Sequence, residues 1–187
     1  MLFDDSQFPA SRYPDSVNKR SITEGTEFQD YVMDALQSRL GLSISVYGSK
    51  AFQLMKGESV QGIEIKLDNW WTRTDRLSIE IAEKSRAENP YYVWSGIFAP
   101  NKTWLYIQGN PNGFYIFMRH HLQWAYQQRT AAGKAGIMPS RYRNVNGDLP
   151  WNRNRTPRQM EVIIKPTVIS YYLDKEFADL YGYFVSN

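Results

Sequence analysis

Gly57-Glu58-Ser59-Val60-Gln61-Gly62-Ile63-Glu64-Ile65-Lys66-Leu67-Asp68 is the stretch on which the reading of this chain turns. Its second half alternates apolar and charged residues, the period of a strand with one face toward a core. On such a strand Glu64 and Lys66, two positions apart, share the polar face. A carboxylate and an ammonium side by side suit phosphodiester chemistry. The carboxylate offers hard oxygens to Mg²⁺, and the lysine orients water, or deprotonates it as the free amine, and as the ammonium offsets charge on a phosphate. The same alternation also describes any half-exposed strand, so the surrounding sequence has to carry part of the argument.

The 187 residues fit one domain with an elaborated end, and 42% hydrophobic with 15% aromatic residues gives material for a core. With no cysteine, disulfide frameworks, thiolate zinc sites and cysteine nucleophiles are excluded. Neither a basic leader with an apolar run nor a membrane-length apolar segment is legible, so the chain reads as soluble, intracellular and cytoplasmic. Phosphate-cradling glycine loops, dinucleotide fingerprints and a nucleophile elbow are missing as well. His120 and His121 are adjacent, about 100° apart on a helix, which does not suit a shared metal.

The net charge of +3 is unevenly placed. Between Arg119 and Arg158 there are eight Lys or Arg against one acid, Asp148. Arg129, Lys134, Arg141, Arg143, Arg153, Arg155 and Arg158, interleaved with Trp124, Tyr126, Tyr142 and Trp151, form a candidate nucleic-acid-binding segment in which cations meet phosphates and rings meet bases. A solvated basic loop is the competing reading.

Along the chain, residues 1–20 read as an irregular arm, 21–118 as the core, 119–160 as a basic helix and loop segment, and 161–187 as closing strands and a helix. Phe28, Tyr31, Val32, Ala35, Leu36 and Leu40 recur at helical spacing from about Thr23, with Gly41 as the stop. Early turns of that helix carry Glu24, Glu27, Gln29 and Asp30, and Gln29 shares a stripe with Val32 and Leu36. Strands are predicted at 42–49, 51–55, 63–67, 77–82, 91–98, 103–108, 114–117, 161–164 and 168–173, with helices near 118–128 and 175–183. Trp70-Trp71, Tyr91-Tyr92 and Tyr171-Tyr172 read as core or interface fillers.

Helix, E-x-K strand, further strands and helix, in that order, resemble the PD-(D/E)XK nuclease superfamily. The resemblance rests on Glu58 through Lys66, on Arg76-Leu77-Ser78-Ile79-Glu80-Ile81 and on the preceding helix, and covers roughly residues 20 to 110. It implies an α/β (α+β) fold with a central mixed sheet flanked by helices, a restriction-endonuclease-like core with a basic C-terminal elaboration. It also implies Mg²⁺-dependent hydrolysis of DNA, with Mn²⁺ able to substitute, endonucleolytic rather than exonucleolytic, and a homodimer as an allowed assembly.

The family's acid and lysine fall on Glu64 and Lys66. A further metal-binding acid is sought at Glu58, only six residues upstream, or at Glu80. An extended chain would hold Glu58 about 20 Å from Glu64, so it qualifies only if the backbone bends at Gly57 or Gly62. Glu80 qualifies if its strand pairs with that of Glu64. Gln61 is a candidate for ordering water or contacting phosphate, and Glu27 falls where many members carry an additional helix glutamate. Alternatives are a non-catalytic nucleic-acid-binding protein on the same fold and an aromatic-rich protein-interaction domain.

Overall fold

Strands β1 (Phe3–Asp4), β2 (Ile63–Leu67), β3 (Arg76–Glu83), β4 (Tyr91–Trp94), β5 (Leu105–Asn110), β6 (Gly113–Met118), β7 (Val162–Ile164), β8 (Val168–Asp174) and β9 (Gly182–Ser186) are interleaved with helices α1 (Ser16–Leu40), α2 (Trp71–Thr74), α3 (Arg119–Ala132) and α4 (Lys175–Tyr181) in a computed structural model. The structure describes Phe3–Asp4 and residues 16–48, 57–84, 89, 91–132, 162–164 and 168–186. The fold is α+β, but its strands form two sheets instead of one central sheet: β1-β4-β3-β8-β7 and β2-β5-β6-β9. They fall into two compact units, one drawn from Met1–Arg12, Ser78–Ala99 and His120–Leu173, the other from Tyr13–Leu77, Pro100–Arg119 and Asp174–Asn187.

The second unit holds the stretch that opened the sequence reading. Phe28, Val32, Ala35 and Leu36 line the buried stripe of α1 at helical spacing. The helix ends where Gly41 takes φ +66° and its N–H bonds to Gln37 C=O at 3.0 Å, an αL stop. That stripe packs on Ile63 and Ile65 of β2, Ile107 of β5, Phe114 of β6 and Val185 of β9. Even-numbered residues of β2 consequently lie on the other face. β2 runs parallel to β5, with Glu64 opposite Tyr106 and Lys66 opposite Gln108. β6 is antiparallel to β5 and β9 antiparallel to β6, which makes the sheet mixed.

In the first unit, β3 pairs antiparallel with β4, and β7 with β8. Leu122, Ala125 and Tyr126 of α3 are buried. The ring of Tyr126 meets those of Phe98 at 5.3 Å and Tyr171 at 5.4 Å, and the Tyr171 hydroxyl donates to Leu122 C=O at 2.9 Å.

Several boundaries differ from the sequence reading. The strand predicted at 42–49 is reduced, over its described part, to a single antiparallel bridge between Val46 and Ser59. Residues 95–98 leave β4 for a 3₁₀ turn over Gly96–Phe98. The closing helix stops at Tyr181 and the chain continues into β9. The strand predicted at 51–55 lies outside the described residues. Among the described residues no helix is long and apolar enough to cross a membrane.

One glycine is decisive for β2. Gly62 enters the strand at φ +73°, and a Cβ there would sit 2.7 Å from Lys102 C=O and 2.8 Å from Trp104 Cδ1. Gly62→Ala should therefore cost about 2 kcal/mol in left-handed strain and contact, lowering the midpoint of thermal unfolding by roughly 4–8 °C. A melting curve checks this, and an unchanged midpoint would show that the turn does not need glycine.

Candidate functional site

On the face of β2 turned away from α1, Lys66 Nζ lies 3.0 Å from Glu64 Oε1, with the Glu64 side chain 10% exposed and that of Lys66 37%. The pair stands beside Tyr106 and Gln108 of the parallel neighbour. Asp68, the next residue of the same alternation, is buried. Its Oδ2 accepts from Gln108 Nε2 at 3.3 Å and its Oδ1 from the Trp70 N–H at 3.0 Å. Glu64, Lys66 and Asp68 thus run as a polar row along one edge strand.

Arg119 completes the electrostatics. Its Nη1 donates to Asn101 C=O at 3.2 Å, Asn101 Oδ1 at 2.9 Å and Thr103 C=O at 2.8 Å. Burial lowers its pKa from the ordinary arginine value, while Glu64 and Tyr106 act in the opposite direction. Arginine stays charged under these conditions, so the guanidinium is a fixed cation whose field reaches Glu64.

The backbone does bend as Glu58 requires. Between Ser59 and Ile63 the chain turns back, with Ser59 Oγ accepting from Ile63 N–H at 2.7 Å and Gly62 N–H donating to Ser59 C=O at 3.1 Å. The turn lays the Glu58 carboxylate along the free edge of β2, where its Oε2 accepts from the Ile65 N–H at 2.7 Å. Backbone geometry then puts that oxygen within about 5 Å of Glu64 Cα. The other oxygen, Oε1, accepts from the side-chain amide of Gln29 on α1.

Glu80 is not on the neighbouring strand. Among the described residues β2 takes β5 as its only ladder partner, and α2 with Asp75 at φ +52° comes before β3 begins. β3 pairs with β4 in the other sheet, and Glu80 Oε1 accepts from the Ser95 hydroxyl at 2.6 Å. Gln61 also has a structural occupation, its Oε1 accepting from Ser45 N–H at 3.0 Å and its C=O from Trp104 Nε1 at 2.7 Å. It braces the 42–48 loop. Glu27 is exposed, and the α1 residue that reaches the acids is Gln29, two positions on. Helical spacing explains the substitution: Gln29, not Glu27, shares the stripe of Val32 and Leu36.

Arg129 lies in α3, but its side chain is outside the described residues, as are Lys134, Arg141, Arg143, Arg153, Arg155 and Arg158. Of the other basic residues near the motif, Arg73 stacks on Trp70 at 5.3 Å and Arg76 Nε pairs with Asp174 at 3.5 Å. Sequence reasoning missed Asp68, which the two-residue alternation after Lys66 would have offered. It placed Arg119 only in the basic segment, because its position near Glu64 depends on the order of β2, β5 and β6.

Behind the polar row the same sheet face is aromatic. Tyr115 meets Trp71 at 5.6 Å, Phe117 at 5.7 Å and Phe184 at 4.8 Å. Its hydroxyl donates to Asp179 Oδ1 at 2.6 Å, and burial followed by that bond raises the phenol pKa. Burial pushes Asp179 upward too, but the hydrogen bonds from Lys175 and Tyr115 outweigh it and hold the carboxyl below its ordinary value.

Among the described residues no group of three or more His, Asp or Glu side chains is placed to hold a metal. Two carboxylates, Glu64 and Glu58, do serve adjacent positions of one strand. Mg²⁺ keeps several waters and takes one or two carboxylates plus substrate phosphate, so Glu64, joined by Glu58 if both carboxylates turn to one side of the strand, would be the donor set. Comparison with family models, with curated proteins and with solved structures finds no match.

Proposed function

We propose that this protein is a Mg²⁺-dependent DNA nuclease of restriction-endonuclease-like type, cutting phosphodiester bonds at the polar row of β2. The observation that carries the reading is the Glu64–Lys66 pair at 3.0 Å on a strand whose free edge also holds the Glu58 carboxylate. Glu64 and Glu58 would hold the ion, which when bound supplies a more acidic water and a counter-charge for the phosphate. Lys66, held at Glu64, presents an ammonium that positions the attacking water and takes up negative charge on the phosphate as it is attacked in line. Arg119 adds a positive field that reaches Glu64. Gln29 orients Glu58.

A second reading is favoured by one fact: both Glu58 oxygens already accept hydrogen bonds, from Ile65 and Gln29. On that reading the fold binds DNA without cutting it. Titrating Mg²⁺ or Mn²⁺ against supercoiled, linear, branched and single-stranded DNA separates the two. Nicking that rises with the ion and stops with EDTA is the expected result. Salt-sensitive binding with no cleavage at any ion concentration would leave the non-catalytic reading in place.

A further inference from the structure

Trp104 is 51% exposed, yet it is among the most firmly held side chains of its unit. Its indole Nε1–H donates to Gln61 C=O at 2.7 Å, and its ring lies against Gly62, where a Cβ would meet Cδ1 at 2.8 Å. The backbone is fixed on both sides, with Trp104 N–H donating to Gly62 C=O at 2.9 Å and Trp104 C=O accepting from Arg119 N–H at 2.8 Å. Gly62 lies two residues before Glu64, so strand geometry places the indole on the order of 10 Å from that acid.

A large ring left in water is unfavourable, and ordering it costs side-chain entropy that here has been met before any ligand arrives. The result is a flat, apolar surface near the polar row of Glu64, Lys66 and Asp68, to which Lys66 and Arg119 bring positive charge. A flat π surface next to a phosphate-binding row matches a nucleobase attached to a phosphate, and bases offer that face only when they are not stacked in a duplex. Resting on the nuclease reading above, we infer that Trp104 is a stacking platform for an unpaired base, and that the substrate of this site is single-stranded DNA.

The test reads binding, not cleavage, so it stands apart from the hydrolytic reading. Fluorescence anisotropy of the full chain in EDTA would compare a labelled single-stranded oligonucleotide, the same sequence as a duplex, and a single strand carrying abasic positions. Trp104→Ala should weaken single-strand binding roughly 5- to 100-fold with duplex binding changed less than about twofold, and Trp104→Phe should recover most of the loss. The abasic strand should bind the unaltered protein as poorly as the intact strand binds Trp104→Ala. If the alanine variant does not fold, the phenylalanine variant and the abasic strand decide alone. Equal loss on single strand and duplex, no loss on either, full binding of the abasic strand, or no binding of single-stranded DNA by the unaltered protein would each overturn the proposal. Cleavage failing in Mg²⁺ while this pattern holds would remove the hydrolytic reading and leave the platform.

Discussion

Glu64→Gln and Lys66→Met are each expected to slow DNA nicking by about 10²- to 10³-fold or more while leaving the fold in place. The glutamine keeps the volume and one acceptor of Glu64 but removes the charge that would hold a divalent ion and that anchors Lys66 at 3.0 Å. The methionine keeps the stem of Lys66 and removes the ammonium. Stability should move little for Glu64→Gln, whereas Lys66→Met takes this partner from a Glu64 carboxylate only 10% exposed and should cost about 1–3 kcal/mol. Single-turnover cleavage of a single-stranded oligonucleotide and of supercoiled plasmid in saturating Mg²⁺, with melting curves for each variant, measures both quantities. Full activity in either purified variant, with contaminating nucleases excluded by column profile, would remove these residues from the chemistry. Loss of activity accompanied by loss of the melting transition would assign them to folding instead.

Phe28→Ala should be the most damaging single change to the second unit. Phe28 is 1% exposed, its ring 6.2 Å from that of Tyr31 and 6.3 Å from that of Phe114, and it packs in the cluster that joins α1 to β2. Emptying that site costs about 3–5 kcal/mol in lost burial and residual cavity, a large share of a typical domain's 5–15 kcal/mol. The unfolding midpoint should fall by roughly 6–20 °C, and Phe28→Leu, closer in volume, by much less. Calorimetry of the two variants measures the difference. Equal midpoints for the alanine and leucine variants would mean that the cluster collapses around the gap.

What could be read beforehand was local. The stripe from Phe28 to Leu36 and the alternation of Ile63–Leu67 and Leu77–Ala82 announced α1, β2 and β3, because burial on one face leaves a period in the sequence. The turn at Pro111-Asn112 announced the β5–β6 hairpin, closed by Asn110 opposite Gly113. Strand partnership left no such trace. Nothing in Arg76–Glu83 says that it pairs with β4 in a sheet apart from β2, and the pairing on which Glu80 depended is not formed.

β9 was missed because Tyr183 and Phe184 are both exposed, so no face of the strand shows a clean polar alternation. That Glu64 and Lys66 stand side by side on one face was legible from their spacing. The approach of Glu58 to Ile65 required a positive φ at Gly62 that residue types permit but do not dictate. The approach of Arg119 required three strands to assemble.

The parallel pairing of β2 with β5 joins residues some 42 positions apart, from Ile63 with Leu105 to Leu67 with Gly109. By comparison, the β5–β6 ribbon closes over two residues. Closing the longer span must overcome more chain entropy before any ladder bond repays it, and pairings of that kind form slowly. The ribbon assembles on the microsecond scale and then waits for its distant neighbour. The long separation of that pairing therefore makes Glu64 and Tyr106 latecomers to each other's company, and on the nuclease reading proposed above a nascent chain would carry its lysine and acids harmlessly until the sheet has zipped.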